Sequence, residues 1–244
     1  MIVKMADTQQ EYNEPLTAMQ VAMDRGAEVF ERTLVAAVNG TLVDLSYVLD
    51  GDCTLELLGL EDERAKRVYQ HTAAHILGQA VKAVYPTAKL VRLEAESGGF
   101  YCDICFASAP DRSALGRIEE EMRSICRADL GIRYEEVSRT VAIKTMRRFG
   151  EIYRVQDVEA LPKGTRVRIY SIGDFVDVST GPHLVRTGLV ADCLLTSLAP
   201  LVGDRKVWRI AGAAYPTKAV RAVQKAGVSK RMGVRAPQRK RNNM

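Results

Sequence analysis

An α+β fold in two unequal parts, followed by a basic tail, is what this sequence predicts. Three observations carry the prediction. Short β-rich runs and amphipathic helical patterns are interspersed without the regular strand–helix alternation of a doubly wound sheet. One helical pattern, Glu61 to Val84, is longer than any other and separates a strand-rich opening from a mixed remainder. The charge then changes near the end: twelve Lys and Arg and no Asp or Glu lie from Arg205 to Met244, against 23 basic and 30 acidic residues before them.

Taken in order, residues 1–6 read as a strand, with a turn at Asp7–Gln10 returning the chain through Glu11–Asn13. Thr17 caps a helix that carries Met19, Val21, Ala22 and Met23 inward and ends near Gly26. Leu34–Val38 is β-rich, Asn39-Gly40 is a strong hairpin signal, and Leu42–Leu45 forms the return strand. Cys53–Leu58 closes the opening with alternating residues. Strands around one helix within residues 1–60 describe a small β-grasp-like module.

The long helix follows, with Ala74, Leu77, Val81 and Val84 on one stripe, and stops before Tyr85-Pro86. Lys89–Leu93 and Phe100–Phe106 are strands around Gly98-Gly99. Pro110-Asp111 starts an amphipathic helix with Leu115, Ile118, Met122 and Ile125 inward. Ile132–Val137 is a strand, and Ser138 caps a short helix through Met146. Arg166–Tyr170, Phe175–Val178, Gly188–Leu198 and Val207–Ile210 are further strands. Tyr215-Pro216-Thr217 starts a last helix ending at Gly227. Residues 61–227 form the second domain. Residues 228–244 hold too few apolar side chains to fold alone.

Composition narrows the classes. Hydrophobic residues make up 47% and charged residues 27%, as in a soluble domain with a real core. No apolar run approaches the ~18 residues of a membrane helix. Five cysteines without framework spacing suit reduced thiols of an intracellular compartment. Six acids in the first thirty-one residues, against Lys4 and Arg25, exclude a signal peptide or presequence there. The basic end, with Lys230, Arg231, Arg235, Arg239, Lys240 and Arg241, suits phosphate contact with a polyanion.

The chemistry concentrates in two stretches. Ser171 to Gly188 reads SIGDFVDVSTGPHLVRTG, a strand, a Gly-Pro turn and His183. The other two histidines of the chain, His71 and His75, stand four apart in HTAAH, on one face of the long helix. Two imidazoles at that spacing can hold zinc if further ligands come from elsewhere, or can be a hydrogen-bonded helical pair. Thr72 fills the place where a metalloprotease needs glutamate. Cys102 and Cys105 form a lone CxxC in a strand, where residues three apart face opposite sides, and read as packing thiols.

On these residues the chain resembles a known family. Met1 to Leu60 is similar to the TGS domain, the β-grasp module that opens threonyl-tRNA synthetase. Glu61 to about Gly227 resembles that enzyme's editing domain, through HTAAHILGQAVKAVYP, GGFYCDI, DVSTGPH and GDRKVWRIAGAAYPTKAV. The resemblance implies a threonyl/alanyl-tRNA synthetase editing-like α+β domain whose pocket hydrolyses mischarged seryl-tRNA. It assigns that pocket to His71, His75, Asp177, Ser179 and His183. Three departures accompany it. Serine stands at 179 in place of the family's cysteine, Arg154 takes the place of a lysine, and Ala199 to Asp204 reads APLVGD where the family has a longer aromatic run.

The sequence in hand contains no aminoacylation domain, so it implies no charging of tRNA. Serine at 179 matches a second, related family, the thirty-ninth protein of the mitochondrial large ribosomal subunit. That resemblance implies a structural subunit in the mitochondrial matrix with a vestigial pocket and no cofactor. Its partners would be ribosomal RNA and large-subunit proteins, with the basic tail lying on the RNA. The alternative is a cytoplasmic deacylase acting on tRNA, with zinc among the histidines as a further possibility.

Overall fold

The computed structural model describes residues 1–201 and 204–216. The chain opens with a hairpin, β1 (Ile2–Met5) and β2 (Thr8–Glu11), followed by β3 (Leu16–Thr17), α1 (Ala18–Asp24) and α2 (Ala27–Arg32). Next come β4 (Val35–Val38), β5 (Thr41–Val43), β6 (Val48–Leu49) and β7 (Cys53–Leu58). Five of these strands form one sheet in the order β2-β1-β7-β4-β5, with β1 and β7 parallel; β3 pairs with β6 alone. Thr17 caps α1 as the sequence predicts, in a reciprocal box with Gln20 that satisfies two backbone N–H groups. Asn39 and Gly40 both take positive φ, 50° and 80°, as the tight β4–β5 turn requires. Val3, Ala18, Val21, Ala36, Leu45 and Leu55 make this part's core.

The second part is built on α3 (Glu63–Val84), whose first N–H groups are capped by Asp62. It continues through β8 (Lys89–Glu96), β9 (Gly99–Cys105), α4 (Ala114–Ala128), β10 (Ile132–Ser138), α5 (Arg139–Arg148) and α6 (Ile152–Ala160). The last strands are β11 (Arg166–Ile172), β12 (Phe175–Val178), β13 (Asp192–Leu201) and β14 (Asp204–Tyr215). A four-stranded antiparallel sheet, β13-β14-β9-β8, packs against α3 and α4 through Ile76, Leu77, Phe100, Ile104, Ile118 and Met122. A three-stranded antiparallel sheet, β10-β11-β12, packs against α5 and α6. Helix α3 runs in the centre because its middle is made of small residues. Thr72, Ala73, Ala74, Gly78 and Ala80 are all buried, so neighbours approach it from several sides.

The mixed fold with its β-rich opening is as the sequence predicts, with local corrections. The β1–β2 return begins at Thr8 rather than Glu11, because Ala6 and Asp7 alone make the turn. Met23 is 47% exposed, since the short α1 buries only Ala18, Val21 and Ala22. Helix α4 starts after Pro110-Asp111; the Asp111 carboxylate is taken by the N–H and hydroxyl of Ser113 in a turn before it. Residues Thr187–Leu189 form a 3₁₀ turn, so β13 starts at Asp192, and β14 runs well beyond Val207–Ile210 in both directions. Two helices lacked a sequence signal. Helix α2 buries no residue, and α6 buries only Arg154, Val155 and Val158. Tyr215 ends β14 and Pro216 follows in a bend instead of starting a helix, and residues 217–227 of the expected last helix lie outside the described residues.

Cys102 is fully buried and Cys105 half-buried on β9, and burial raises the Cys102 thiol far above its ordinary range, as suits packing. No helix among the described residues is long and apolar enough to cross a membrane. Truncating Leu77, which is 0% exposed on α3, should lower stability by about 2–5 kcal/mol. Urea unfolding of Leu77→Ala measures this, and a loss below about 1 kcal/mol would place α3 outside the core.

Candidate active site

The three histidines and Ser179 meet. His71 and His75 come from one turn of α3, and Asp177 and Ser179 from the end of β12. His183 follows the turn Thr180–Pro182, whose Gly181-Pro182 bond is cis. Ring centroids of the three imidazoles lie 4.4 to 4.9 Å apart, with His71 and His183 stacked. Ser179 Oγ sits 3.0 Å from His71 Nε2 and 3.1 Å from His183 Nε2, and accepts the N–H of Gly181 at 3.1 Å.

The loop carrying Ser179 and His183 is fixed on both sides. Asp44, just past β5 in the first module, accepts the backbone N–H of His183 at 2.9 Å and the hydroxyl of Tyr170 at 2.8 Å. From α3, Thr72 Oγ1 accepts the N–H of Leu184 at 3.0 Å. Gly181 is required between them. Its φ is +60°, and a Cβ there would lie 2.0 Å from Tyr170 Oη.

Asp177 is 1% exposed and is held by Arg154, which donates from Nε at 2.8 Å and Nη2 at 3.0 Å; the N–H of Val178 adds a third donor. Burial lifts this carboxyl above its usual range, opposed by the guanidinium. Two charge-assisted bonds from one planar fork favour the carboxylate, a geometry lysine cannot make. The pair therefore places a fixed, internally compensated charge 3.6 Å from His75 Nδ1.

The imidazoles are neutral at physiological pH. Burial pushes His71 down to about 4, helped by Arg67 and Arg154. Burial first, and then the neighbouring histidines, holds His75 and His183 well below the ordinary histidine range. Their tautomers follow from the proton count. The Thr72 hydroxyl donates to Val68 O at 2.9 Å, so toward His183 Nδ1, 3.5 Å away, it can only accept. On that contact we assign the proton of His183 to Nδ1, which leaves Nε2 to accept the Ser179 hydroxyl. His71 Nε2 then donates to Ser179 Oγ, which has no second proton to give.

A cavity of about 530 Å³ is lined by His71, His75 and Ser179 of this group, together with Glu94, Glu136 and Arg166. A larger one of about 660 Å³, beside Lys66, Arg67 and Tyr215, contains no histidine. As metal ligands, His71, His75 and His183 suit zinc in chemistry: all are neutral, and two have a polar partner behind the ring. Zinc there would act as a Lewis acid on a bound oxygen. Their ligand atoms lie within 4.8 Å of one another, whereas Zn–N bonds of about 2.0 Å in tetrahedral array need roughly 3.3 Å between ligands, so loading requires contraction around Ser179.

Every residue the resemblance assigns to the pocket is thus brought together, and Arg154 joins it through Asp177. Lys230, Arg231, Arg235, Arg239, Lys240 and Arg241 lie outside the described residues. Sequence reasoning missed Asp44, Thr72 as an acceptor and Tyr170. Thr72 carried a signal, its place between two histidines; Asp44 and Tyr170 carried none.

Comparison with known proteins follows the same lines. Residues 3–58 match the model of the TGS domain. The chain is 42% identical over 189 residues to a threonine–tRNA ligase of Acetivibrio thermocellus, covering 78% of this chain and 30% of that protein. Another, from Desulforamulus reducens, is 37% identical over 215 residues, covering 86% and 34%. One from Clostridioides difficile is 38% identical over 189 residues, covering 78% and 30%. The chain spans about a third of the length of these relatives. It is homologous to the N-terminal region of threonyl-tRNA synthetases, TGS domain included.

Two outcomes test the geometry. Asp44→Ala strands two buried donors and should cost on the order of 3 kcal/mol, with His183 less protected in hydrogen exchange at its amide. The histidines give a pH signature. Because the folded pKa of His71 lies below its unfolded 6.5, its contribution is complete above pH 6.5 and is lost as pH falls from there toward 4. The melting temperature should therefore fall more steeply across that window in the native protein than in His71→Gln.

Proposed function

We propose that this chain is a hydrolytic editing module that deacylates seryl-tRNA made on the threonine tRNA. The observation that supports it best is the set of neutral histidines bonded to one serine hydroxyl at the wall of a cavity. Cleaving an aminoacyl ester needs a base that is unprotonated at neutral pH and an acid for the leaving ribose oxygen. His183 Nε2 supplies the first, and the same nitrogen, once protonated, supplies the second. Arg154 and Asp177 keep a charge beside His75 without adding a net one. The 530 Å³ cavity is of a size for an aminoacyl group and its terminal ribose. Homology to the synthetase region supports tRNA as the carrier.

A second reading keeps the fold and gives up the chemistry: a structural subunit of the mitochondrial large ribosomal particle, bound to RNA through Lys230, Arg231, Arg235, Arg239, Lys240 and Arg241. Serine in place of cysteine at 179 and the acid-free C-terminal run motivate it. Neither reading needs a cofactor; zinc on the three histidines would belong to the first.

Purified protein mixed with seryl-tRNA decides between them. Under the editing reading, serine is released at least about a hundredfold faster than in buffer, and His183→Ala loses that gain. The rate should hold as pH falls through 6.5, because burial keeps the base His183 unprotonated well below the ordinary histidine range. No release, with the native protein sedimenting with large-subunit RNA at moderate salt, would favour the structural subunit.

A further inference from the structure

Ser179 is the one group in the pocket that is bonded to two imidazoles at once. Its Oγ has three neighbours and one proton. Gly181 N–H and His71 Nε2 are donors to it, which leaves the hydroxyl proton for His183 Nε2. The far nitrogen of His183 faces Thr72 Oγ1 at 3.5 Å, and Thr72 is itself committed to Val68 O and Leu184 N–H, which assigns the His183 proton to that side. Asp44 holds the His183 backbone. A half-buried hydroxyl at a cavity wall, 3.1 Å from an imidazole nitrogen whose ring also meets Thr72 and whose backbone is held by Asp44, is the arrangement of an activated nucleophile.

The rival is a water molecule using His183 as base. Such a water would have to displace Ser179, because the lone pair on His183 Nε2 is already engaged. Thr180, exposed at the same wall, has no imidazole bonded to its hydroxyl among the described residues, and other candidates are committed or sealed. The Tyr170 hydroxyl donates to Asp44, the Thr165 hydroxyl donates to Pro162 O, and Cys102 is 0% exposed.

We propose that Ser179 is the nucleophile of the deacylation and carries the acyl group as a covalent ester, with His183 as its base; this rests on the editing reading above. Ser179 Oγ bonds to the ester carbonyl carbon as its proton passes to His183 Nε2. The bond from that carbon to the ribose oxygen breaks, and the oxygen leaves with the proton from His183. In the second half, water adds to the acyl carbon and gives its proton to His183. The bond to Oγ then breaks, and Ser179 recovers the proton. One ester and one water become one amino acid and one free tRNA 3′ end.

The test is a single-turnover reaction of the full chain with seryl-tRNA, quenched in acid and read by peptide mass. The expected result is the peptide containing Ser179 heavier by one seryl residue before free serine appears. Ser179→Ala should lose deacylation by at least about a hundredfold with its melting temperature kept. Ser179→Cys, a stronger nucleophile beside the same base, should carry the acyl group as a thioester that hydroxylamine releases. Deacylation with no adduct at position 179 in either protein, and with Ser179→Ala within threefold of native, would overturn the covalent step and leave the hydrolase reading standing. No deacylation by the native chain would remove both.

Discussion

The carboxylate of Asp44 is the contact on which the pocket depends. It belongs to the β-grasp module, yet its two bonds end in the other part of the chain, on the Tyr170 hydroxyl and the His183 backbone N–H. Tyr170 in turn stands against Gly181, at the tip of the loop between Ser179 and His183. One side chain thus helps fix how the loop turns and where His183 comes to rest. Burial raises the pKa of Asp44, and the two donors oppose that shift. A carboxylate in so dry a place is held because it is paired, and removing it leaves two donors with nothing to bond. The first module is therefore part of the site's construction, not merely attached to it.

The second constraint is electrostatic. Three imidazoles within 5 Å of one another cannot all be charged, and in a buried place none of them is. Their neutrality is a cost to stability below pH 6.5 and a gain for base chemistry at pH 7, because no proton has to be removed before a base can act. Arg154 contributes to both. Its charge disfavours a proton on His71 and His75, and its fork on Asp177 closes the circuit locally. A lysine there could titrate and move; arginine cannot titrate, and two bonds fix it.

The sequence made the two halves of this pocket visible because each half is local. Histidines four apart on a helix must share a face, and a Gly-Pro turn followed by histidine must bend back on itself. Ser138, Thr17 and Asn39-Gly40 were legible for the same reason: caps and tight turns are decided within a few residues. What joins the halves is not local. Asp44 and His183 are 139 residues apart, and nothing in the run Val43-Asp44-Leu45 separates it from any acid at a strand end. Helix α2 was invisible because it lies on the surface and buries nothing, so no periodic stripe is imposed on it. Helix α6 was obscured because one of its three buried positions is an arginine, which reads as a surface residue until its carboxylate partner is known.

Ser179 shows how far a single residue type can be interpreted without its surroundings. Taken alone, a hydroxyl where a thiol is expected is a weaker ligand and a weaker nucleophile, and suggests a pocket that has lost its use. The weakness of serine, however, is a statement about its free pKa, and an adjacent base removes it. Here an imidazole nitrogen is 3.1 Å away, and burial holds that ring well below the ordinary histidine range. Thr72 stands behind His183, Asp44 behind its backbone and Arg154 behind Asp177, and these bonds serve stability as well as the geometry of the pocket. All three are in place, and each costs burial of a polar or charged group. Under the proposed covalent step, the exchange of sulfur for oxygen is a change of nucleophile, with the same base beside it.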